Sequence, residues 1–165
     1  MTLIKRLKRI SFASLLCILA IACSSDATGP SFNLEEDCQN VTTINGERPP
    51  GDLLPLQDSF TMLDTIDADG NRLVVTQGVR KAGTRVGIHV HEYGGHTCVM
   101  SGEITDFIEG IEPKTYSAGE CYYMPPNVLM TAAHLGSEDA ILIDTFTLPD
   151  GEHTISICEP GYPSS

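Results

Sequence analysis

Val86-Gly87-Ile88-His89-Val90-His91 is the stretch on which the reading of this chain turns. In an extended strand successive side chains point to opposite faces, so His89 and His91 share one face while Ile88 and Val90 share the other. Two neutral imidazoles converging from one strand make half of a metal site. Taken alone, the pattern suits two histidines on a wetted strand equally well, so its surroundings must be read.

From Phe60 onward those surroundings break into short β-rich runs: 60–66, 72–78, 84–91, 96–101, 103–109, 120–124, 128–134 and 140–148. Asp69-Gly70-Asn71, Gly94-Gly95, Ser101-Gly102 and Pro125-Pro126-Asn127 punctuate them as turns. No segment after the N-terminal region keeps a helical period over a useful length. Runs of this spacing predict an all-β sandwich or small barrel.

The glycine and proline frame is more specific. Gly83 stands five residues before His89-Val90-His91, and a Gly-containing turn and a strand lead to Ser101-Gly102-Glu103; Gly119 stands five residues before Pro125-Pro126. This frame resembles the two motifs of the cupin superfamily, Gly-x5-His-x-His-x3/4-Glu-x6-Gly and Gly-x5-Pro-x-Gly-x2-His-x3-Asn, over about Leu73 to Phe146. The resemblance implies a cupin-type jelly-roll barrel (a double-stranded β-helix) holding one divalent transition metal, Mn, Fe, Ni, Cu or Zn. It also implies a small organic molecule bound or converted inside.

The match to the ligand set is partial. His89 and His91 fall on the two first-motif ligands. Gly95 stands where the Glu is expected, and in the second motif Asn127 stands for the Gly, Met130 for the His and His134 for the Asn. Three replacements are expected to compete. A bulge at Gly94-Gly95 would turn His96 inward, Glu92 would fold back as an oxygen ligand, or Met130 would offer a soft thioether. Arg85 shares the parity of the two histidines and would offer its charge to an anionic substrate, or else sit exposed at the rim. Glu92 and Tyr93 are the nearest candidates for proton transfer, with Tyr93 also placed to touch substrate.

The N-terminus reads as an address. Lys5, Arg6, Lys8 and Arg9 precede the apolar run Ile10 to Ala22, which is too short for a permanent span and marks residues 1–22 as a signal peptide. Leu19-Ala20-Ile21-Ala22-Cys23 resembles the bacterial lipobox, which implies a lipid anchor on Cys23 and, with Ser24 following, an outer-membrane location facing the periplasm. Residues 23–52 are rich in Ser, Asp, Pro and Gly and read as a flexible tether. The cupin domain would occupy 53–158 and a tail 159–165.

Four cysteines remain after the signal and the anchor: Cys38, Cys98, Cys121 and Cys158. An even count in an oxidising compartment favours disulfides, and three pairings are possible. Cys38 and Cys158 flank the patterned region, where a bridge would clamp the tether to the last strand. Cys98 and Cys121 would then pair, and the cupin topology would set them directly opposite across a ladder. Since Cys98 has the parity of His96, an outward bridge would carry His96 outward too.

Composition closes off other classes. A chain of 165 residues suits one domain with extras and excludes a two-domain dinucleotide enzyme. Its 10 Lys and Arg face 22 Asp and Glu, four of those cations lie in the signal, and nucleic-acid binding is excluded as a first reading. The sequence therefore describes an exported, lipid-anchored cupin with a small-molecule ligand and a possible homodimer through sheet edges. Catalysis is left open. A non-catalytic binding module and a metal-free envelope cupin are the alternatives.

Overall fold

A computed structural model describes residues 32–163; the signal segment and Cys23 lie outside them. A single helical turn, α1 (Leu34–Asp37), precedes twelve strands. They are β1 (Asp52–Leu53), β2 (Gln57–Ile66), β3 (Asn71–Arg80), β4 (Thr84–Arg85), β5 (His89–Val90), β6 (Gly95–Ser101), β7 (Glu103–Ile108), β8 (Lys114–Ser117), β9 (Cys121–Met124), β10 (Met130–Ala133), β11 (Ala140–Pro149) and β12 (Ser156–Ile157).

Two sheets form the barrel. One runs β1-β4-β10-β5-β12 with β7 on β10 and β8 on β7, and the other runs β2-β3-β11-β6-β9. Alternation writes the inner face: on β11 Ala140, Leu142, Phe146 and Leu148 are buried, and on β7 Ile104, Asp106 and Ile108. These side chains meet Val99, Tyr122, Met124 and Met130 in one core drawn from both sheets. Burying a Leu, Ile or Phe is worth about 1.5–3 kcal/mol, so this face drives closure of the barrel.

The run expected at 84–91 is two short strands with a break at Val86 to Ile88. Side chains replace part of the ladder there, while the Val86 amide still donates to the Ala132 carbonyl. The Val86 carbonyl accepts the Thr131 hydroxyl at 2.6 Å, and the Ile88 amide donates to the Glu159 carboxylate at 2.9 Å. The Ile88 carbonyl in turn accepts the amides of Cys158 and Glu159. The whole stretch is buried, from Thr84 through His91.

Two domain boundaries change. Residues 159–163 are no tail: they continue a strap in which β12 pairs with β5 and the Cys38–Cys158 disulfide ties the strap to α1. Tyr162 packs its ring on Gly87, where an added Cβ would come within 3.0 Å of it. The second half of the tether is likewise part of the fold. Ile44 is buried, Asn45 bonds the β7–β8 turn, and β1 pairs in parallel with β4. The disulfide expected at Cys98–Cys121 is also present, directly across the β6–β9 ladder.

Beneath the strap, Arg85 is fully buried, and both nitrogens of its fork reach Glu159, one at 2.7 Å. This corrects the expectation that Arg85 meets substrate or lies at the rim: its charge is taken up by the strap. Removing one partner of a buried ion pair leaves the other without water or counter-ion. Glu159→Gln is therefore expected to lower unfolding stability by about 3 kcal/mol, read from urea denaturation at neutral pH.

Candidate functional site

The barrel encloses a cavity of about 710 Å³, open at one end beside the strap. His89 and His91 line it together, as their shared parity requires. Each Nδ1 lies against a backbone carbonyl, that of Gly87 for His89 at 2.8 Å and that of Thr154 for His91. A carbonyl only accepts, so both Nδ1 atoms carry the proton and both Nε2 atoms carry a lone pair. These two Nε2 atoms face each other at 3.1 Å. Burial pushes both imidazoles below their ordinary pKa, and the neighbouring His91 lowers His89 further, so protonation does not relieve the opposed lone pairs at neutral pH.

Opposed lone pairs at this separation suit a shared cation. Two nitrogens each about 2.0–2.1 Å from one ion lie at most about 4.2 Å apart, and the backbone bonds at Nδ1 provide the outer support such ligands use. The residues present therefore fit two positions of a metal site. Among the described residues, no group of three or more His, Cys, Asp or Glu converges closely enough to complete it.

The other expected ligands lie elsewhere. His96 is exposed on the outer face of β6, its ring 5.2 Å from Tyr123, because no bulge separates it from Cys98 and the outward disulfide keeps the regular alternation. The inward position is Gly95, and a Cβ there would lie 2.6 Å from the Phe146 ring. Phe146 thus fills the place of the missing carboxylate, with its ring centroid 5.1 Å from that of His91. Met130 stands across the ladder from His89 but joins the core and does not line the cavity. Glu92 takes a 3.4 Å bond from Ser156 at the strap, and Tyr93 is 43% exposed, outside the cavity lining. His134 is buried, bonded to the Glu138 carbonyl. Asn127 takes the left-handed backbone that a glycine would supply, φ 55°, and its amide donates to the His91 carbonyl.

The opposite wall carries polar residues that sequence reasoning missed. Thr76, Asp144, Thr97 and Tyr122 form one row across β3, β11, β6 and β9, each registered with the next. The Thr97 hydroxyl donates to Asp144 at 2.6 Å. Burial raises the Asp144 carboxyl and the Tyr122 phenol, so both lean toward their neutral forms. Arg80 ends the inward file of β3 at the cavity's edge. The signal was available: Asp144 has the parity of Leu142 and Phe146, and Arg80 that of Val74 and Gly78.

No family model matches the chain, and no curated protein matches it. Among solved structures, an uncharacterized conserved protein with a double-stranded β-helix domain from Klebsiella pneumoniae superposes with a TM-score of 0.50, at 23% identity over 79% of this chain and 98% of its own. The DMSP lyase DddQ from Ruegeria pomeroyi gives 0.53 at 17% identity, covering 74% and 62%. A cupin 2 domain-containing protein from Halorhodospira halophila gives 0.50 at 12%, covering 60% and 67%. The chain therefore has the double-stranded β-helix fold of these structures. Its inner wall carries two histidines on one sheet and, on the other, a polar row with a single carboxyl, Asp144.

Behind Tyr122, the buried Asp106 carboxyl is raised by burial to about 7, against which the Phe107 amide offers only a partial offset. Between about pH 4 and 7 the folded protein keeps a proton there that the unfolded chain has released, so this group's contribution to stability falls as pH rises. Asp106→Asn mimics the protonated form. It is expected to stabilise the protein by up to about 4 kcal/mol at pH 8 and by little at pH 4, measured by denaturant unfolding at both pH values.

Proposed function

We propose that this protein is an exported, lipid-anchored cupin that holds one divalent transition metal through His89 and His91 and receives a small organic molecule in the cavity beside it. The observation that carries the proposal is the pair of unprotonated Nε2 atoms facing each other at 3.1 Å in a buried, ligand-sized cavity. Such a metal supplies Lewis acidity at coordination positions that the protein leaves to solvent or ligand. The chain's own residues do the rest. Gly87 and Thr154 hold the imidazole tautomers, Phe146 excludes a third side-chain ligand, and the strap shields the histidines from bulk water.

Binding without turnover is the second reading, and Phe146 favours it, because a ring replaces the charged ligand that would help fix a reactive ion. The lyase activity named for the Ruegeria pomeroyi structure is not carried over, since 17% identity supports likeness of fold alone. Two disulfides support folding in an oxidising compartment, in keeping with export. A homodimer belongs to the same proposal. Its candidate edge is β2, where Phe60, Met62, Leu63 and Ile66 are exposed.

Elemental analysis tests the metal. After growth with Mn, Fe, Ni, Cu and Zn, the wild type is expected to hold about one ion per chain and His89→Ala with His91→Ala none. A wild type without metal under all five supplements leaves a metal-free cupin. Mass spectrometry of the membrane fraction tests the anchor, with a diacylglyceryl mass on Cys23 expected and an unmodified soluble N-terminus counting against it.

A further inference from the structure

Two arginines are buried in this barrel, and their surroundings differ. Arg85 has a carboxylate of its own, with both ends of its fork on Glu159. Arg80 is 3% exposed and has no carboxylate within ion-pair distance; its Nη1 donates to the Leu54 carbonyl, and its Nε has no partner among the described residues. The ion pairs among the described residues are Arg72–Asp64, Lys81–Asp139 and Arg85–Glu159. Asp144 acts on Arg80 through space without forming an ion pair, and its carboxyl accepts the Thr97 hydroxyl.

Arg80 cannot escape burial by losing its proton, as a lysine would, because a guanidinium remains charged at any physiological pH. Burial does pull its pKa down, the mark of a cation poorly answered by its surroundings. It lines the same cavity as His89 and His91, and it is the only Lys or Arg among the described lining residues. Its orientation is fixed in advance by the Leu54 carbonyl and by Tyr162 beside it.

We propose that Arg80 is an anion-binding residue and that the cavity takes a small organic monoacid, its carboxylate on the guanidinium and its apolar body against Leu142, Phe146 and Ile155. The proposal rests on reading the cavity as a ligand site, and it names the class of ligand. A carboxylate matches the planar donor fork and brings a negative charge to a cation that no carboxylate of the described residues reaches at ion-pair distance. A phosphate monoester would bring a second charge with no further Lys or Arg in the described lining to meet it, close to Asp144.

The test uses the full chain purified in detergent, with calorimetric titration of acetate, propionate and benzoate against benzamide and phenyl phosphate. At least one carboxylate is expected to bind, with benzoate at least tenfold tighter than benzamide and phenyl phosphate. Arg80→Gln is expected to weaken that binding at least tenfold while metal content stays at the wild-type value, and Arg80→Lys to recover part of it. Should Arg80→Gln fail to fold, the acid-to-amide ratio in the wild type decides. Equal binding of acid and amide overturns the inference, as does preference for the phosphate or no carboxylate binding at millimolar concentration. So does carboxylate binding that survives Arg80→Gln but vanishes on metal removal, since the ion would then be the receptor. Metal retained without carboxylate binding refutes this inference alone, whereas loss of metal in the wild type removes the metal reading separately.

Discussion

Arg85 and Glu159 meet where water can answer neither charge, and the functional end of the barrel is organised around that contact. The Glu159 carboxylate also accepts the Ile88 amide, and the Ile88 carbonyl accepts two amides of the strap. The backbone just before His89 is thereby fixed by groups about 70 residues away in sequence. One step further along the strap, Thr154 sets the tautomer of His91. Attraction between the two charges offsets the cost of desolvating them only because the fork geometry is two-pronged and the spare acceptor capacity is used. The Cys38–Cys158 bridge adds a constraint on the unfolded chain, since it closes a loop of 120 residues, worth about 4–5 kcal/mol in the chain-entropy account.

Against that rigid side stands a wall that costs stability. A row running Thr76, Asp144, Thr97 and Tyr122 interrupts an inner face otherwise built of Leu, Val, Met and Phe. Hydrocarbon at Asp144 would be easier to bury than a carboxyl whose pKa burial has raised. At the end of the same wall Arg80 leaves its Nε without a partner among the described residues, which is capacity a ligand can use. Asp106, close behind Tyr122, has the same cost with no cavity lining to show for it.

Much of the fold was legible because alternation has a period of two and turn residues punctuate it. The runs from 60 to 148 correspond to strands, and the inward parity of His89 and His91 is as the pattern requires. The count of cysteines left three pairings open, and it was the topology implied by the cupin resemblance that set Cys98 opposite Cys121, as observed. Legibility ended where the backbone stopped being regular. Arg85 shares the histidines' parity, yet the side-chain bonds around Val86 to Ile88 replace part of the ladder, and its partner lies on a strap that local pattern describes as a tail. Strands β1 and β12 are two residues each, too short for any period to register. Asp144 and Arg80 are charges on inward parity, a signal the strand pattern carries although neither lies in the two glycine-framed motifs.

His96 shows why a motif substitution is settled by its neighbours. A histidine next to the expected carboxylate position invites a bulge, but a bulge there would have to break the register that joins Cys98 to Cys121 and turn His96 away from Tyr123. It would also drive a side chain into the Phe146 ring, since position 95 has no room even for a methyl group. Glycine at 95 and phenylalanine at 146 therefore form a complementary pair, in which the loss of one side chain makes space for the other. The same exchange that removes an anionic ligand from the histidines places an aromatic face beside them. With Phe146 in that place, the cavity has no carboxylate there beside His89 and His91 and presents an aromatic, apolar surface instead.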